Sequence, residues 1–305
     1  MRLPVYARRT RCAATAMWAT AKKMRATARD RPNTLGAGVA VKRIVENMDN
    51  NNNLMIPAAL VDKLVAAQHI AVLTGAGVSA ESGVPTFRDA LTGLWAQYSP
   101  TELASPEAFA RNPQLVWDWY AMRRRLVEQV EPNAGHRALV ELAAITPQFT
   151  LITQNVDGLH QRAGSVNVIE LHGGLFRYRC CGCDKPVTAQ EWRTGATVPK
   201  CPTCGGNVRP DIVWFGESLP ERNLALAFQA SRACDVFLSI GTSGVVAPAS
   251  SLPYEALSHH ATVVEINPNE TELTHDATFV LRGPAGQILP AIVAKMKRRR
   301  MGGLA

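Results

Sequence analysis

Short apolar runs alternate with helix-like segments along the chain from residue 54 onward. The runs are four to six residues long and rich in aliphatic or β-branched side chains; they are 69–74, 149–153, 168–171, 235–240, 261–266 and 278–281. Helical spacing of apolar residues occurs at 60–65, 134–144 and 221–233. Continuous apolar strands that alternate with helices are typical of a parallel sheet covered on both faces. The pattern therefore predicts an α/β fold.

Each apolar run is followed at once by a polar or glycine-rich cluster. In chain order the clusters read GAGVSAESG, QNVDGLH, HGG, GTSG, NPN and GPAG. Ligands of open α/β sheets bind at the carboxyl ends of the strands, so we expect these clusters to converge on one crevice. Two segments, 91–131 and 176–209, interrupt the alternation and are interpreted as insertions that form a smaller domain.

The composition is that of an ordinary globular protein. Of 305 residues, 47% are hydrophobic and 19% are charged, which excludes low-complexity, collagen-like and coiled-coil chains. No apolar run reaches the roughly 18 residues of a membrane-spanning helix. The net charge of +8 is carried by the two ends, because residues 30–294 hold 20 basic and 25 acidic side chains. This distribution argues against dedicated nucleic-acid binding.

The first 53 residues are predicted to lie outside the folded core. Residues 1–29 contain eight basic side chains and no acid, and the segment ends in the polar run 49–53. It lacks the long apolar region of a secretory signal. Two interpretations stay open: a mitochondrial transit peptide, or an upstream translation start with Met48 or Met55 as the working one.

Cysteine usage indicates a reducing compartment and a metal site. Seven cysteines, five of them within 25 residues, do not fit a secreted disulfide framework. Two C-x-x-C pairs stand 17 residues apart, Cys180 with Cys183 and Cys201 with Cys204. Four thiolates at this spacing are typical of a zinc ribbon, and a closed four-cysteine site predicts a structural Zn²⁺. Cys181 is the spare thiol; a redox pair is the alternative.

A glycine turn follows the first apolar run. Gly75, Gly77 and Ala80 match the G-x-G-x-x-A form of the dinucleotide fingerprint, whose glycines let the backbone approach a pyrophosphate. Such spacing also occurs in ordinary strand–helix turns. Pro85 and its polar neighbours disfavour a long helix, so we expect a loop lying over the ligand.

Three polar residues at strand ends are candidates for the chemistry. His172 stands beside two glycines at a predicted strand end and is a candidate general base, with a structural histidine as the alternative. Asn155 and Asp157 are suited to holding ribose hydroxyls or an amide, although an Asx-turn closing the strand would explain them equally well.

These motifs occur together, in this order and at these spacings, in sirtuins. The segments GAGVSAESGVPTFRD, TQNVDGLHQRAG, ELHGG, WFGE, GTSG and EINPN, with the two C-x-x-C pairs, resemble that family over residues 55–292. The resemblance implies an NAD-dependent protein lysine deacylase with a Rossmann-like parallel sheet and a smaller domain made of a zinc ribbon and a helical insertion. It also implies NAD as co-substrate, one structural Zn²⁺ and acyl-lysine proteins or peptides as partners, without membrane binding.

The resemblance divides the chain as follows. The boundaries are a basic leader, predicted to be disordered, at 1–53; a catalytic domain at 54–295, with its Rossmann-like part at 54–90, 132–175 and 210–292, a helical insertion at 91–131 and a zinc module at 176–209; and a basic tail at 296–305.

The resemblance also implies residue roles. The loop that covers NAD would contain Gly75, Ala76, Gly77, Thr86, Phe87 and Arg88, and the nicotinamide and ribose pocket would contain Gln154, Asn155 and Asp157. Gly241, Thr242 and Ser243 would contact the phosphates and ribose, and Asn267 and the backbone of Ala285 would contact the adenosine. The strand that pairs with the substrate peptide would be Val213, Trp214 and Phe215. His172 would be the base that takes a proton from a ribose hydroxyl. The products would be free lysine, nicotinamide and O-acyl-ADP-ribose.

Acyl specificity is predicted from Tyr120 and Arg123. Three residues apart, they lie on one face if the segment is helical. Taken alone, the pattern favours an amphipathic helix with packed aromatics and solvated arginines, Arg124 and Arg125 extending the charge. A Tyr-x-x-Arg pair in this insertion, however, distinguishes the sirtuin class that removes succinyl and malonyl groups. A hydroxyl and a guanidinium together can hold a distal carboxylate.

Several alternatives to this function stay open. They are a plain NAD dehydrogenase, a zinc-ribbon nucleic-acid module, and a sirtuin acting mainly as deacetylase or mono-ADP-ribosyltransferase. The 17-residue zinc spacer resembles that of compact bacterial members. We therefore expect a bacterial cytoplasm, with the mitochondrial matrix as the alternative.

Overall fold

The computed structural model describes residues 55–85, 100–188 and 197–302, with the backbone alone at 44–46, 100 and 101. The strands are β1 (Ile44–Glu46), β2 (His69–Thr74), β3 (Gln148–Thr153), β4 (Ile169–Glu170), β5 (Gly173–Cys180), β6 (Val208–Ile212), β7 (Val236–Ile240), β8 (Thr262–Ile266) and β9 (Phe279–Leu281). The helices are α1 (Ala58–Ala66), α2 (Gly77–Ala80), α3 (Pro100–Leu103), α4 (Pro106–Arg111), α5 (Pro113–Glu128), α6 (Ala134–Ala144), α7 (Leu159–Arg162), α8 (Glu221–Ala233), α9 (Leu252–Ser258) and α10 (Ala285–Gly302).

Seven of these strands form one parallel sheet in the order β1-β9-β8-β7-β2-β3-β4. From β2 the chain passes to β3 and β4 on one side and then returns to β7 on the other. Such a reversal is a switch point, where α/β sheets form their ligand crevice. The register aligns Thr74 of β2 with Thr153 of β3 and Ile240 of β7, so the three strands end level.

The sheet is covered on both faces, as the alternation of apolar runs predicted. On one face Ile70, Val72 and Leu238 pack with helices α1, α6 and α10. On the other face Leu73 and Phe237 pack with α8 and α9. The central strands β2, β7 and β8 are buried on both faces, which explains their continuous apolar sequences. Among the described residues, no helix combines the length and the apolar character needed to cross a membrane.

The smaller domain combines helices α3 to α5 with the antiparallel hairpin of β5 and β6. Helix α5 begins where the side chain of Asn112 accepts a hydrogen bond from the amide of Leu115, with Pro113 in the first turn. Trp119 of α5 packs with Trp214 in an apolar cluster between the helices and the hairpin. This cluster connects the helical insertion to the segment that follows β6.

The amino-terminal boundary differs from the prediction. Ile44–Glu46, which the sequence placed in a leader outside the core, forms strand β1 and pairs in parallel with β9. The leader prediction is therefore wrong for these three residues. The rest of the leader, 1–43 and 47–53, lies outside the described residues.

The carboxyl-terminal boundary also differs. The segment predicted as a basic tail at 296–305 continues helix α10 as far as Gly302. Met296 is fully buried, and Lys297 pairs with Glu141 of α6 at 2.6 Å. The basic side chains suggested a tail, but the apolar face of the same segment packs against the core and continues the helix.

Candidate active site

Two glycine turns approach each other closely at the switch point. Gly75 follows β2 and Gly241 follows β7, and the amide of Gly77 donates to the carbonyl oxygen of Gly241 at 2.8 Å. A Cβ on Gly75 would lie 2.8 Å from that oxygen, and one on Gly77 would lie 2.7 Å from Cα of Gly241. Gly241 also has φ of +58°. Only glycine fits these positions, because any side chain would displace the backbone of the opposite turn.

The chain leaves this turn as a loop. Helix α2 ends at Ala80, which is exposed, and residues 81–85 continue without regular helix. Within the described residues no long helix follows the glycine turn, as Pro85 and its polar neighbours predicted. Thr86, Phe87 and Arg88, which the resemblance places over NAD, lie outside the described residues.

Polar side chains join the neighbouring strand ends. Gln154, after β3, donates from Nε2 to Oγ1 of Thr242 at 2.9 Å. Asn267, after β8, donates from Nδ2 to the carbonyl oxygen of Thr242 at 2.8 Å. The predicted NAD residues from three strands thus lie within one hydrogen-bonded group, at the level of the glycine turns.

Two further predicted NAD residues flank this group. Ser243 follows Thr242 and is partly exposed. Ala285 is buried at the first position of α10, and the next amide, that of Gly286, donates to Oε1 of Glu81 at 2.7 Å. The start of α10 therefore lies beside the turn that ends α2.

Asn155 and Asp157 converge on a serine that the sequence analysis did not single out. Ser79 donates from Oγ to Oδ2 of Asp157 at 2.8 Å and accepts from Nδ2 of Asn155 at 3.1 Å. The other oxygen of Asp157 accepts from the amide of Leu159 at 2.9 Å, which is the Asx-turn of the alternative interpretation. Burial raises the pKa of Asp157, against the opposing effect of these hydrogen bonds and of Arg123.

Two buried histidines lie behind this group, and the sequence analysis missed them. His136 Nε2 is 3.4 Å from Oγ of Ser79, and His160 Nε2 is 2.9 Å from Oγ1 of Thr74. Their ring centroids are 4.9 Å apart. Burial lowers the pKa of His136 to about 4 and that of His160 to about 3. His160 ends the cluster QNVDGLH but was given no role there, and His136 stands three residues after the helix cap Asn133.

His172 has the geometry of a proton acceptor. Its Nδ1 is 2.9 Å from the carbonyl oxygen of Gln154. A carbonyl only accepts, so Nδ1 carries the hydrogen and Nε2 keeps its lone pair. Burial lowers the pKa of His172, which favours this neutral form. Gly173 must be glycine, because φ is +79° and a Cβ would lie 2.1 Å from the carbonyl oxygen of Asp211.

The peptide-pairing segment already uses its own amides. Val213 donates to the carbonyl oxygen of His172, Trp214 to Oε2 of Glu217 and Phe215 to the carbonyl oxygen of Ala104, at 2.9, 2.8 and 2.9 Å. An added peptide strand would therefore have to pair with carbonyl oxygens here. Pairing of Val213, Trp214 and Phe215 with a substrate peptide stays a prediction.

Tyr120 and Arg123 lie on one face of α5, as their spacing predicted. Tyr120 is buried, and Arg123 places its guanidinium carbon 5.1 Å from the ring centroid of Trp119. The buried Nε of Arg123 has no hydrogen-bond partner among the described residues, which also offer it no ion pair. Burial lowers the pKa of Arg123. A solvated arginine, the alternative interpretation, is seen at Arg125 and not here.

The four predicted zinc ligands come together. Cys180 at the end of β5 has its Sγ 3.4 Å from that of Cys204, and the Sγ atoms of Cys183 and Cys201 are 3.8 Å apart. All four sulfurs lie within 4.8 Å of one another. A tetrahedral Zn²⁺ with bonds of about 2.3 Å needs sulfurs roughly 3.8 Å apart, so the residues fit the metal. Cys181 is exposed and outside the cluster.

Comparisons with known proteins agree with this geometry. A model of the Sir2 family matches residues 75–248. NAD-dependent protein deacylase 1 of Pseudomonas aeruginosa is 50% identical over 244 residues, which are 78% of this chain and 98% of that protein. The NAD-dependent protein deacylase of Aquifex aeolicus is 52% identical over 231 residues, 76% of this chain and 96% of that protein.

Two solved structures give the same result. A Sir2 homolog in complex with NAD has a TM-score of 0.77 and 44% sequence identity, covering 81% of this chain and 96% of that chain. A Sir2 protein bound to a myristoylated histone peptide has a TM-score of 0.64 and 34% identity, covering 79% and 96%. The family model matches more than half of this chain, and the relatives are aligned with it over nearly their whole length. This chain therefore belongs to the Sir2 family, the sirtuins.

Proposed function

We propose that the protein is an NAD-dependent protein lysine deacylase that removes succinyl and malonyl groups as well as acetyl groups. The relatives named as NAD-dependent protein deacylases are matched over 98% and 96% of their length, which supports the same activity for this chain. The structural relatives include one complex with NAD and one with an acylated histone peptide. These names support an acyl-lysine protein or peptide as substrate.

The group at the switch point supports NAD as the co-substrate. The glycines let the two turns pack backbone to backbone at the switch point, which is where open α/β sheets bind a dinucleotide. NAD supplies the electrophilic ribose carbon and the nicotinamide leaving group of the reaction. Gln154, Asn155 and Asp157 would hold its ribose and amide, since their side chains are fixed by neighbours rather than free.

His172 is proposed as the general base, and the observation that supports this role is the tautomer of its imidazole. The Gln154 carbonyl fixes the hydrogen on Nδ1, so Nε2 is ready to take a proton from a ribose hydroxyl. Val213 donates to the carbonyl oxygen of His172, so the base is joined through the backbone to the segment proposed to hold the peptide.

The preference for acidic acyl groups rests on Arg123, whose buried Nε has no hydrogen-bond partner among the described residues. A half-buried cation without a hydrogen bond at Nε is unfavourable unless a ligand supplies an anion. A succinyl or malonyl carboxylate would supply that anion, whereas an acetyl group would not. Desolvation lowers the pKa of Arg123, and the electrostatic effects of Tyr120 and Asp157 offset this only in part.

The cellular location is proposed on sequence grounds alone. The short spacer between the two cysteine pairs supports a bacterial cytoplasmic enzyme, and a mitochondrial matrix enzyme is the second candidate. A fusion of residues 1–53 to a fluorescent protein, observed in a eukaryotic cell, would test the second candidate directly.

One experiment tests the activity and the acyl preference together. The protein is incubated with NAD and three peptides of one sequence that carry acetyl-, succinyl- or malonyl-lysine, and products are read by mass. We expect nicotinamide, free lysine peptide and O-acyl-ADP-ribose, with higher kcat/KM on the acidic acyl groups. Reduced nicotinamide would instead indicate a dehydrogenase, and ADP-ribosylated peptide would indicate ADP-ribosyl transfer.

A further inference from the structure

The indole of Trp214 forms a buried hydrogen bond with Tyr120. Nε1 of Trp214 donates to the hydroxyl oxygen of Tyr120 at 2.8 Å, and the two side chains are 2% and 3% exposed. The rings lie at 20° to each other with centroids 6.3 Å apart. The contact connects the segment after β6 with the middle of α5.

This hydrogen bond has only one possible direction. An indole N–H is a donor and never an acceptor, whereas a phenol hydroxyl does both. The oxygen of Tyr120 must therefore accept from Trp214, which leaves its own hydrogen to point elsewhere. Among the described residues no acceptor receives that hydrogen. Burial raises the pKa of Tyr120 to about 12, so the hydroxyl keeps its hydrogen at physiological pH.

Trp214 is itself held firmly in place. Its amide donates to Oε2 of Glu217 at 2.8 Å. Arg209 binds both oxygens of Glu217, at 2.5 and 2.8 Å, and its guanidinium carbon lies 3.2 Å from the ring centroid of Trp214. Arg209 is 4% exposed, so this ion pair is largely buried. The ion pair of Arg209 and Glu217 thus holds both the backbone and the ring of Trp214 in place.

We propose that Trp214 is a positioning residue for acyl specificity: it occupies the acceptor side of the Tyr120 hydroxyl and so directs the hydroxyl hydrogen to an acidic acyl chain held by Arg123. The inference rests on the proposed function. A succinyl or malonyl carboxylate then receives donors from both Tyr120 and Arg123. Without the indole N–H, the hydroxyl can rotate, and part of its contribution to binding the carboxylate is lost.

The test is Trp214→Phe, which removes the N–H and keeps an aromatic ring. The readout is the ratio of kcat/KM on a succinyl-lysine peptide to that on the acetyl-lysine peptide of the same sequence. Any general loss from moving the peptide-pairing segment affects both substrates and cancels in the ratio. We expect the ratio to fall about fivefold, mainly through KM for the succinyl peptide.

The same substitution in a Tyr120→Phe background separates this role from packing. If Trp214 acts through the hydroxyl, W214F leaves the ratio of the Y120F protein unchanged. An equal fall in both backgrounds, or no fall in the wild-type background, overturns the inference. If the wild-type protein itself prefers the acetyl peptide, the proposed acyl preference fails and the inference fails with it. Should W214F not fold, Glu217→Gln, which loosens the Trp214 amide, is the second variant and must lower the same ratio.

Discussion

Nδ1 of His172 lies 2.9 Å from the backbone carbonyl oxygen of Gln154, which itself follows the strand next to the glycine turn. This bond fixes the tautomer of the imidazole and joins the proposed base to the proposed nicotinamide pocket. Because the partner is a backbone group, no side-chain substitution at 154 removes it. The base can therefore be tested separately from the side chains that surround NAD.

His172→Ala is expected to abolish NAD-dependent deacylation in a folded protein. A general base contributes about 10²–10⁴-fold to the rate, and Nε2 of His172 is the proposed acceptor. Nicotinamide release from NAD with an acyl-peptide measures the loss, and thermal melting checks the fold. Activity within a few-fold of wild type would remove His172 from this role.

The acid side of the pH profile should reflect the same histidine. Burial lowers the pKa of His172 below its ordinary 6.5, so the neutral, proton-accepting form persists to more acidic pH. We expect the acid-side decline of kcat/KM to be centred below pH 6.5. A decline centred above 6.5 would contradict the lowered pKa.

Fold stability should fall as the pH drops below 6.5, because of His136 and His160. Their folded-state pKa values, about 4 and about 3, lie below the ordinary 6.5, so the unfolded chain binds more protons between those limits. Each histidine should therefore cost about 2 kcal/mol of unfolding free energy between pH 7 and pH 5. Urea titration at both pH values measures this loss. His160→Gln should show a loss smaller by that amount; an unchanged pH dependence would contradict the assignment.

Zinc binding is tested with a matched pair of cysteine variants. Cys201→Ser removes one of four clustered sulfurs, whereas Cys181→Ser changes an exposed thiol outside the cluster. We expect one zinc per chain in the wild type and in C181S, and loss of zinc with lower thermal stability in C201S. Full zinc retention in C201S, or loss in C181S, would show that the ligand set is different.

The sheet was predictable because its central strands β2, β7 and β8 are buried on both faces. The predicted helices 134–144 and 221–233 coincide with α6 and α8, and the predicted strand 69–74 coincides with β2. Apolar runs and helical spacing report local burial, and that is sufficient where one element packs in a simple layer.

The hairpin and the polar network were not predictable in the same way. Strand β5 reads GGLFRYRC and β6 reads VRPDI, so their charged side chains break any apolar alternation. Arg209 pairs with Glu217, and His136 meets His160, only because the folded chain brings them together. A single sequence carries no local signal for such pairs. Each polar side chain can be buried only because its partner, which is distant in the sequence, offsets the cost of removing it from water.

Arg123→Met is the decisive test of acyl preference. The guanidinium is half-buried against Trp119, and its Nε has no partner among the described residues. We expect desuccinylation to fall at least tenfold, since a hydrogen bond to a charged group contributes about 1.5–3 kcal/mol. Deacetylation should change far less, because an acetyl group brings no charge to the pocket, and methionine keeps the apolar contact with the indole.

Arg125→Met, at an exposed position two residues along the same helix, is the control and should leave both activities near wild type. Equal losses of both activities in R123M would mean that Arg123 supports the fold of the helical insertion, and the preference for succinyl and malonyl groups would be withdrawn.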